Sequence, residues 1–265
     1  MNTTLQRSII DSGAARIEVI TRGRTFDNRP LVILIPSLGR AAEDFDDLAT
    51  RIAQAGFRAL TPQPRGLGAS VGPMENITLH DYAKDMAAII NANGGGPAVI
   101  GGHAFGNFVA RTTAADYPQL VKAVMLIAAT HSWPLPPEIR KSIHDSHITA
   151  QPEQQLRALK HAFFAPGNDA TVWLGGWNEA VMHAERAATE ATPKPEWWTA
   201  GNAPVLDILP ENDIMTPPET RNVYRDEMGA HRVQTVLIPR AGHALLPEQP
   251  VAVAEAVIHY LKSLP

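Results

Sequence analysis

Residues 101–107 place three glycines around Ala104, between an apolar stretch and an amphipathic one. The preceding residues 98–100 are typical of the end of a buried strand, and the residues that follow repeat at helical spacing. Glycine at positions 102 and 106 permits a sharp strand-to-helix turn, because a side chain there would collide with the neighbouring strand or helix. The apex residue, Ala104, is then forced outward. A serine hydroxyl at this apex could attack a carbonyl carbon, whereas a methyl group cannot.

The elements that must position this turn alternate between strands and helices. Residues 16–23 alternate apolar and polar residues, which predicts an outer antiparallel strand. Unbroken apolar runs predict parallel strands covered on both faces; they lie at residues 31–35, 57–61, 121–129, 204–209 and 233–238. Helical spacing predicts helices between them, at residues 45–52, 79–90 and 105–112 and from Pro250 onward, with a further capped helix start at residues 216–219. The pattern predicts an α/β fold with a mostly parallel sheet.

The strand-helix alternation stops over residues 131–202. This segment contains all five tryptophans, many prolines and five of the ten histidines. Its apolar periodicity is weak and helical at best. We therefore expect an inserted helical segment there.

The motif Gly102-His103-Ala104-Phe105-Gly106 resembles the Gly-His-Ser-x-Gly nucleophile elbow of the α/β-hydrolases at every position except the nucleophile. The resemblance covers nearly the whole chain. It implies an α/β-hydrolase core built from residues 1–130 and 203–265, with an inserted lid at residues 131–202. It also implies that Ala104 stands where the family has its catalytic serine.

The resemblance implies that an acid and then a histidine follow the nucleophile along the chain. Residues 209–218 resemble the family's acid loop, with Asp213 at the catalytic position. Asp207 lies within an apolar run and Glu211 precedes the Asp-x-x-x-Pro spacing, so both are weaker candidates. Residues 239–244 resemble the Gly-His loop after the last strand, which makes His243 the base.

Further site residues follow from the same resemblance. The oxyanion-hole donors are expected to be the backbone N–H groups of Phe105 and Leu38. Pro36 and Ser37 replace the usual His-Gly pair of that second loop, so a role for the Ser37 hydroxyl stays open. The substrate wall is expected to include Ser37, His131, Trp133 and Trp177, although the tryptophans also suit the core of the lid.

The remaining motifs indicate structural roles. Residues 65–70 resemble the family's Arg-Gly-x-Gly-x-Ser turn, and His103 is expected to be a packing and hydrogen-bonding partner. His144 and His147 form a His-x-x-His pair without a third ligand, which indicates solvated surface rather than a metal site. We predict no metal and no cofactor. No basic cluster suggests an anchor for a phosphate or a carboxylate.

Composition excludes several classes of partner. The 265 residues are 45% hydrophobic and 19% charged, with a net charge of -4, so no basic face for nucleic acid is expected. No apolar run approaches the roughly 20 residues of a membrane span. The absence of cysteine is compatible with a cytoplasmic protein. We expect a small-molecule partner, an apolar ester or lactone, and a homo-oligomer stays open.

Two hypotheses explain Ala104. In the first, the chain is a hydrolase of ester or lactone bonds with a Ser-His-Asp triad, present as an inactive variant in which alanine was introduced for the nucleophile. In the second, it is a natural non-catalytic member of the family that binds a ligand. A carbon-carbon bond hydrolase uses the same triad, so the sequence does not separate that activity from an esterase or a lactonase. The substitution Ala104→Ser distinguishes the two hypotheses.

Overall fold

Eight strands form one sheet in the order β1-β2-β4-β3-β5-β6-β7-β8 within the described residues, which are 5–24, 29–130, 134–148 and 151–265 of a computed structural model. Strand β2 pairs antiparallel with β1 and β4, and the other neighbouring strands run parallel. The strands are β1 (Leu5–Asp11), β2 (Arg16–Arg22), β3 (Leu31–Ile35), β4 (Arg58–Pro62), β5 (Ala98–His103), β6 (Val121–Ile127), β7 (Val205–Pro210) and β8 (Val233–Ile238). This is the α/β-hydrolase fold class that the sequence predicts.

Helices cover both faces of this sheet. Helices α2, α3 and α7 pack their apolar residues on one face, and α1, α8 and α9 pack on the other. The α-helices of the described residues are α1 (Asp46–Gln54), α2 (Leu79–Ala92), α3 (Gly106–Asp116), α4 (Pro137–Ile148), α5 (Pro152–Ala162), α6 (Glu179–Glu190), α7 (Val223–Met228), α8 (Leu245–Glu248) and α9 (Pro250–Ser263). The central strands are thus buried on both sides, as their apolar runs predict.

The chain between β6 and β7 is helical. It supplies α4, α5 and α6, which lie within the predicted insertion, and the boundaries of that insertion stay a prediction. Trp173, Trp197 and Trp198 are buried, whereas Trp177 is half-buried. Large rings therefore form much of the packing of this segment. We call residues 134–148 and 151–202 the lid segment.

Two local expectations differ from the structure. Residues 16–23 were predicted as an outer strand, but β2 lies between β1 and β4; the edge strand β1 was not predicted, because its side chains are mostly exposed and its apolar pattern is weak. Residues 216–219 do not begin an α-helix: a short 3-10 turn spans Pro218–Thr220, and α7 begins only at Val223. Proline lacks a backbone N–H and restricts the residue before it, so adjacent prolines favour a turn at this point.

A buried ion pair stabilises the fold. Arg65 donates to both carboxylate oxygens of Asp85, at 2.8 and 3.0 Å, and both side chains are almost fully buried. This contact fastens the turn at residues 65–70 to α2, in line with its predicted structural role. Within the described part of the chain, no helix combines the length and the apolar character that crossing a bilayer requires.

Candidate active site

Ala104 lies at the apex of the tight turn between β5 and α3, with a φ of +46°. A Cβ atom built on Gly102 would lie 2.0 Å from the carbonyl carbon of Gly106, and one built on Gly106 would lie 2.2 Å from the carbonyl oxygen of Ile35. No side chain fits at either position. The left-handed conformation is unusual for a residue with a side chain, so the surrounding packing must impose it. The elbow geometry is therefore intact although the serine is absent.

Two polar side chains of α3 support the backbone of the apex residue. The Asn107 side-chain amide donates to the carbonyl oxygen of Ala104, and its oxygen accepts from Arg111 at 2.6 Å. The Arg111 guanidinium is fully buried and lies over the rings of Trp197 and Trp198, at 4.6 and 4.5 Å. Aromatic faces stabilise a cation that lacks water. Sequence reasoning missed this support, since its partners belong to distant parts of the chain.

His243 and Asp213 form a buried pair. His243 Nδ1 lies 2.8 Å from Asp213 Oδ2, and the two side chains are 4% and 0% exposed. The other carboxylate oxygen of Asp213 accepts the backbone N–H of Met215 at 2.8 Å. A carboxylate held in this way fixes the orientation and tautomer of the imidazole, which a general base requires.

The weaker acid candidates have other surroundings. Asp207 is buried within β7, and neither of its carboxylate oxygens bonds to another described residue. Burial raises the pKa of Asp207 to about 7, opposed in part by the charge of Arg111. Glu211 accepts the backbone N–H of Arg240 at 3.0 Å. Neither residue contacts His243, so Asp213 alone among the three is placed to orient it.

His103 is enclosed next to the apex and hydrogen-bonded to the histidine loop. Its Nε2 atom donates to the backbone carbonyl of His243 at 2.8 Å. Burial, and then the nearby charge of His243, lower the pKa of His103 to about 3. The ring is therefore neutral at ordinary pH and acts as a spacer between β5 and the His243 loop, as expected from the sequence.

The two expected oxyanion donors are unpaired. Among the described residues, neither the backbone N–H of Leu38 nor that of Phe105 donates to an acceptor. Unpaired N–H groups in a largely buried region are uncommon unless a ligand or water serves them. The loop that holds Leu38 is fixed from the lid segment: the Gly39 N–H donates to Glu185 Oε2 at 2.7 Å, and the Gly39 carbonyl accepts from the Asn178 N–H at 2.9 Å.

One cavity of about 260 Å³ brings most predicted site residues together. Its wall includes Ser37, Leu38, Ala104, Phe105, Trp177 and His243, with Phe108, Ile143, Phe163, Met182 and Met215 as further apolar lining. The predicted substrate contacts His131 and Trp133 lie outside the described residues. A largely apolar wall with a few polar groups is typical of a small-molecule site.

The cavity also holds residues that sequence reasoning missed. His147 and Arg186 line it, together with Thr189 and Glu190. The interpretation of His147 as solvated surface was therefore wrong, and no signal in the sequence indicated that Arg186 lines the same cavity. Which face of α4 and α6 meets the core is decided by tertiary packing, and the weak periodicity of the lid segment gave no signal for it.

A second cavity lies away from these residues. It has a volume of about 620 Å³ and is lined by Leu31, Arg58, Pro97 and Lys122, among others. These residues stand at the amino ends of the parallel strands or just before them, whereas Ala104 and His243 follow carboxyl ends. Sites in this kind of sheet form at the carboxyl ends, so the smaller cavity is the candidate active site. Within the described ranges no cluster of three or more metal-ligating side chains occurs.

Comparisons with known proteins place this architecture. Residues 30–165 match the family model described as alpha/beta hydrolase fold. A 2-(acetamidomethylene)succinate hydrolase of Mesorhizobium japonicum is 30% identical over 121 residues, which cover 46% of this chain and 42% of that protein. Epoxide hydrolase A of Mycobacterium tuberculosis is 23% identical, with 97% of each chain covered. A thermophilic esterase from Thermogutta terrifontis superposes with a TM-score of 0.77 at 22% identity, over 98% of this chain and 99% of that one.

Proposed function

Because this chain belongs to the α/β-hydrolase family, we propose that its cavity binds small, largely apolar esters or lactones at a serine-hydrolase site that lacks only the nucleophile. The buried His243–Asp213 pair carries the proposal, since His243 lines the same cavity as the elbow apex. The unpaired N–H groups of Leu38 and Phe105 support it, because they suit a developing oxyanion.

With serine at position 104, each group has a defined task. His243 takes the hydroxyl proton as the oxygen attacks the carbonyl carbon, and the Leu38 and Phe105 amides stabilise the negative oxygen. His243 then gives the proton to the leaving alcohol. In the second half-reaction it activates a water that hydrolyses the acyl-enzyme, and Asp213 holds the imidazole throughout.

The chain with Ala104 cannot form the acyl-enzyme. It retains the cavity, the base and the oxyanion donors. We therefore expect it to bind an ester without covalent turnover.

The first prediction concerns Ala104→Ser. We expect this variant to hydrolyse p-nitrophenyl butyrate at least ~10³-fold faster than the unmodified chain, because the nucleophile is the missing member of an otherwise complete set. Release of p-nitrophenol under steady-state conditions measures the rate.

Matched controls separate the triad from a nonspecific effect. Ala104→Ser combined with His243→Ala or with Asp213→Asn should lose most of the gain. Far-ultraviolet circular dichroism and the melting temperature report whether each variant is folded. A folded Ala104→Ser protein without esterase activity would contradict the proposal and favour a non-catalytic ligand-binding protein.

The intact His243–Asp213 pair also favours a second candidate, hydrolysis without a covalent intermediate. A base with no hydroxyl to deprotonate can take a proton from water, which then attacks the bound carbonyl directly. Here the unmodified chain would have slow esterase activity that His243→Ala abolishes. Equal rates for the unmodified chain and His243→Ala would exclude this candidate.

A further inference from the structure

One face of α6 forms part of the cavity wall. Met182, Arg186, Thr189 and Glu190 line the cavity, and their spacing places them on the same side of the helix. Met182 is buried, Arg186 and Thr189 are half-buried, and Glu190 is exposed. The helix therefore presents an apolar residue, then a cation and then a solvated rim to whatever occupies the cavity.

Arg186 has no anionic partner among the described residues. No carboxylate of those residues lies within 4.0 Å of its guanidinium, and Glu190 one turn further along remains in water. His147 of α4 lines the same cavity. Burial, and then the charge of Arg186, lower the pKa of His147. The Arg186 guanidinium thus lies on the cavity wall with no carboxylate of the described residues in contact with it.

The rest of the wall favours an extended ligand. Ile143, Phe163 and Trp177 of the lid segment supply apolar surface in the cavity that His243 also lines. An ester group near the Leu38 and Phe105 amides would leave the remainder of the molecule to run along this surface. A half-buried guanidinium binds carboxylate strongly and can do so through two parallel hydrogen bonds.

Resting on the proposed function, we propose that the preferred substrates are esters or lactones carrying a free carboxylate on an apolar chain, which Arg186 binds while the ester group lies beside Ala104 and His243. This names the substrate class for the site: half-esters of small dicarboxylic acids rather than simple alkyl esters. A neutral ester of the same shape leaves the cation desolvated and unpaired.

Binding to the unmodified chain tests this inference, since Ala104 lets an ester remain intact. The probes are monoethyl glutarate and ethyl pentanoate, which share the ester and have similar length but differ in the carboxylate. Isothermal titration calorimetry should give at least ~10-fold tighter binding of monoethyl glutarate. Added salt should reduce that preference, because it rests on charge.

Arg186→Gln should remove the preference while changing the affinity for ethyl pentanoate less than about threefold. Arg157→Gln is the matched control, because Arg157 lies on α5, is exposed and does not line the cavity; it should behave as the unmodified chain. Equal affinities of the two esters, or a preference that survives Arg186→Gln, would overturn this inference and leave the proposed function standing. Failure of both esters to bind, with no activity of Ala104→Ser, would overturn both.

Discussion

His103 shows how much a single residue at this site depends on its surroundings. Its ring is fully buried next to the apex, and its Nε2–H donates to the His243 carbonyl. Its Nδ1 atom has no partner among the described residues. Such a ring tolerates only the neutral form, because a proton on Nδ1 would place an unpaired charge in the interior. Protonation of His103 therefore destabilises the folded chain.

The burial of His103 predicts a contribution to the free energy of unfolding that is lost at acid pH. The folded pKa of His103 is about 3, below the value of about 6.5 for an exposed histidine. The unfolded chain therefore takes up the proton first, and the contribution to stability is complete above about pH 6.5 and is lost as the pH falls toward 3. Between pH 7.5 and 5 the loss is about 2 kcal/mol. Urea unfolding at pH 7.5 and 5.0 should show that His103→Gln loses less stability on acidification than the unmodified chain, by about this amount.

Gln is the substitution of choice because its amide can donate to the same carbonyl without titrating. The variant's own stability at pH 7.5 serves as the reference, so a general loss of packing does not affect the comparison. Identical losses in the two proteins would contradict the prediction.

Helix α6 joins the wall of the cavity to the loop that holds Leu38. Its Glu185 side chain is buried and accepts the Gly39 N–H, and its N-cap residue Asn178 donates to the Gly39 carbonyl. Burial raises the pKa of Glu185 well above its usual value, opposed in part by the Gly39 hydrogen bond. A neutral carboxyl at this position offers the same acceptor oxygen as an amide. The loop with Leu38 thus depends on a hydrogen bond from a helix far away in the sequence.

Substitutions at Glu185 should therefore distinguish the effect of its hydrogen-bond acceptor from the effect of its charge. Glu185→Gln keeps an acceptor for the Gly39 N–H. In the Ala104→Ser background we therefore expect it to leave the free energy of unfolding nearly unchanged and kcat within about threefold of the value for Ala104→Ser alone. Glu185→Ala leaves a buried N–H unpaired, which costs about 1–3 kcal/mol of unfolding free energy, and should lower kcat ~10-fold or more as the Leu38 donor moves. Urea unfolding and p-nitrophenyl butyrate kinetics measure the two effects. Equal results for both substitutions would show that the hydrogen bond does not position the loop.

At the scale of the whole molecule, the lid segment is attached to the core at several separate places. Ala165 N–H and Gly242 N–H both donate to the Glu248 carboxylate at 2.7 Å, which joins the lid segment to the His243 loop. At the other end, His80 of α2 bonds to Asp116 and to Glu196, at 2.7 and 2.8 Å. The first attachment is near the site and the second is remote from it.

His80 predicts an opposite dependence on pH. Its hydrogen bond to Asp116 raises the pKa of His80, with a smaller contribution from Glu196. The stabilisation is therefore complete below about pH 6.5 and is lost as the pH rises through the folded pKa. Thermal melts from pH 6 to 9 should show a decline in Tm for the unmodified chain that is weaker in His80→Gln. A Tm profile that His80→Gln leaves unchanged over this range would exclude the contribution.

Local pattern sufficed for the core and for part of the site. The apolar runs predict β3, β5 and β6, and the spacing of Gly102 and Gly106 predicts the elbow, because each of these features is recorded in a few consecutive residues. The resemblance placed Asp213 and His243 on their loops, and the structure brings the two together. Their catalytic roles stay a prediction until Ala104→Ser is measured.

Other parts of the site depended on contacts that no local pattern records. Arg186 and His147 reach the cavity because α4 and α6 have a particular rotation against the core. The bond between Glu185 and Gly39 joins residues 146 positions apart. The apex support by Arg111 likewise relies on rings from another segment. Such features follow from how elements dock, which one sequence alone does not specify.

The hydrogen bonds from the lid segment to Gly39 and to the loop before His243 have an evolutionary consequence. Exchanging the segment for one of different architecture would remove hydrogen bonds that hold the Gly39 loop and the His243 loop. We therefore expect chimeras with a foreign lid segment to lack the hydrolytic activity expected of Ala104→Ser. New substrate preferences are more accessible through single substitutions on the face of α6 that lines the cavity. Such substitutions change the cavity wall and keep the supporting hydrogen bonds.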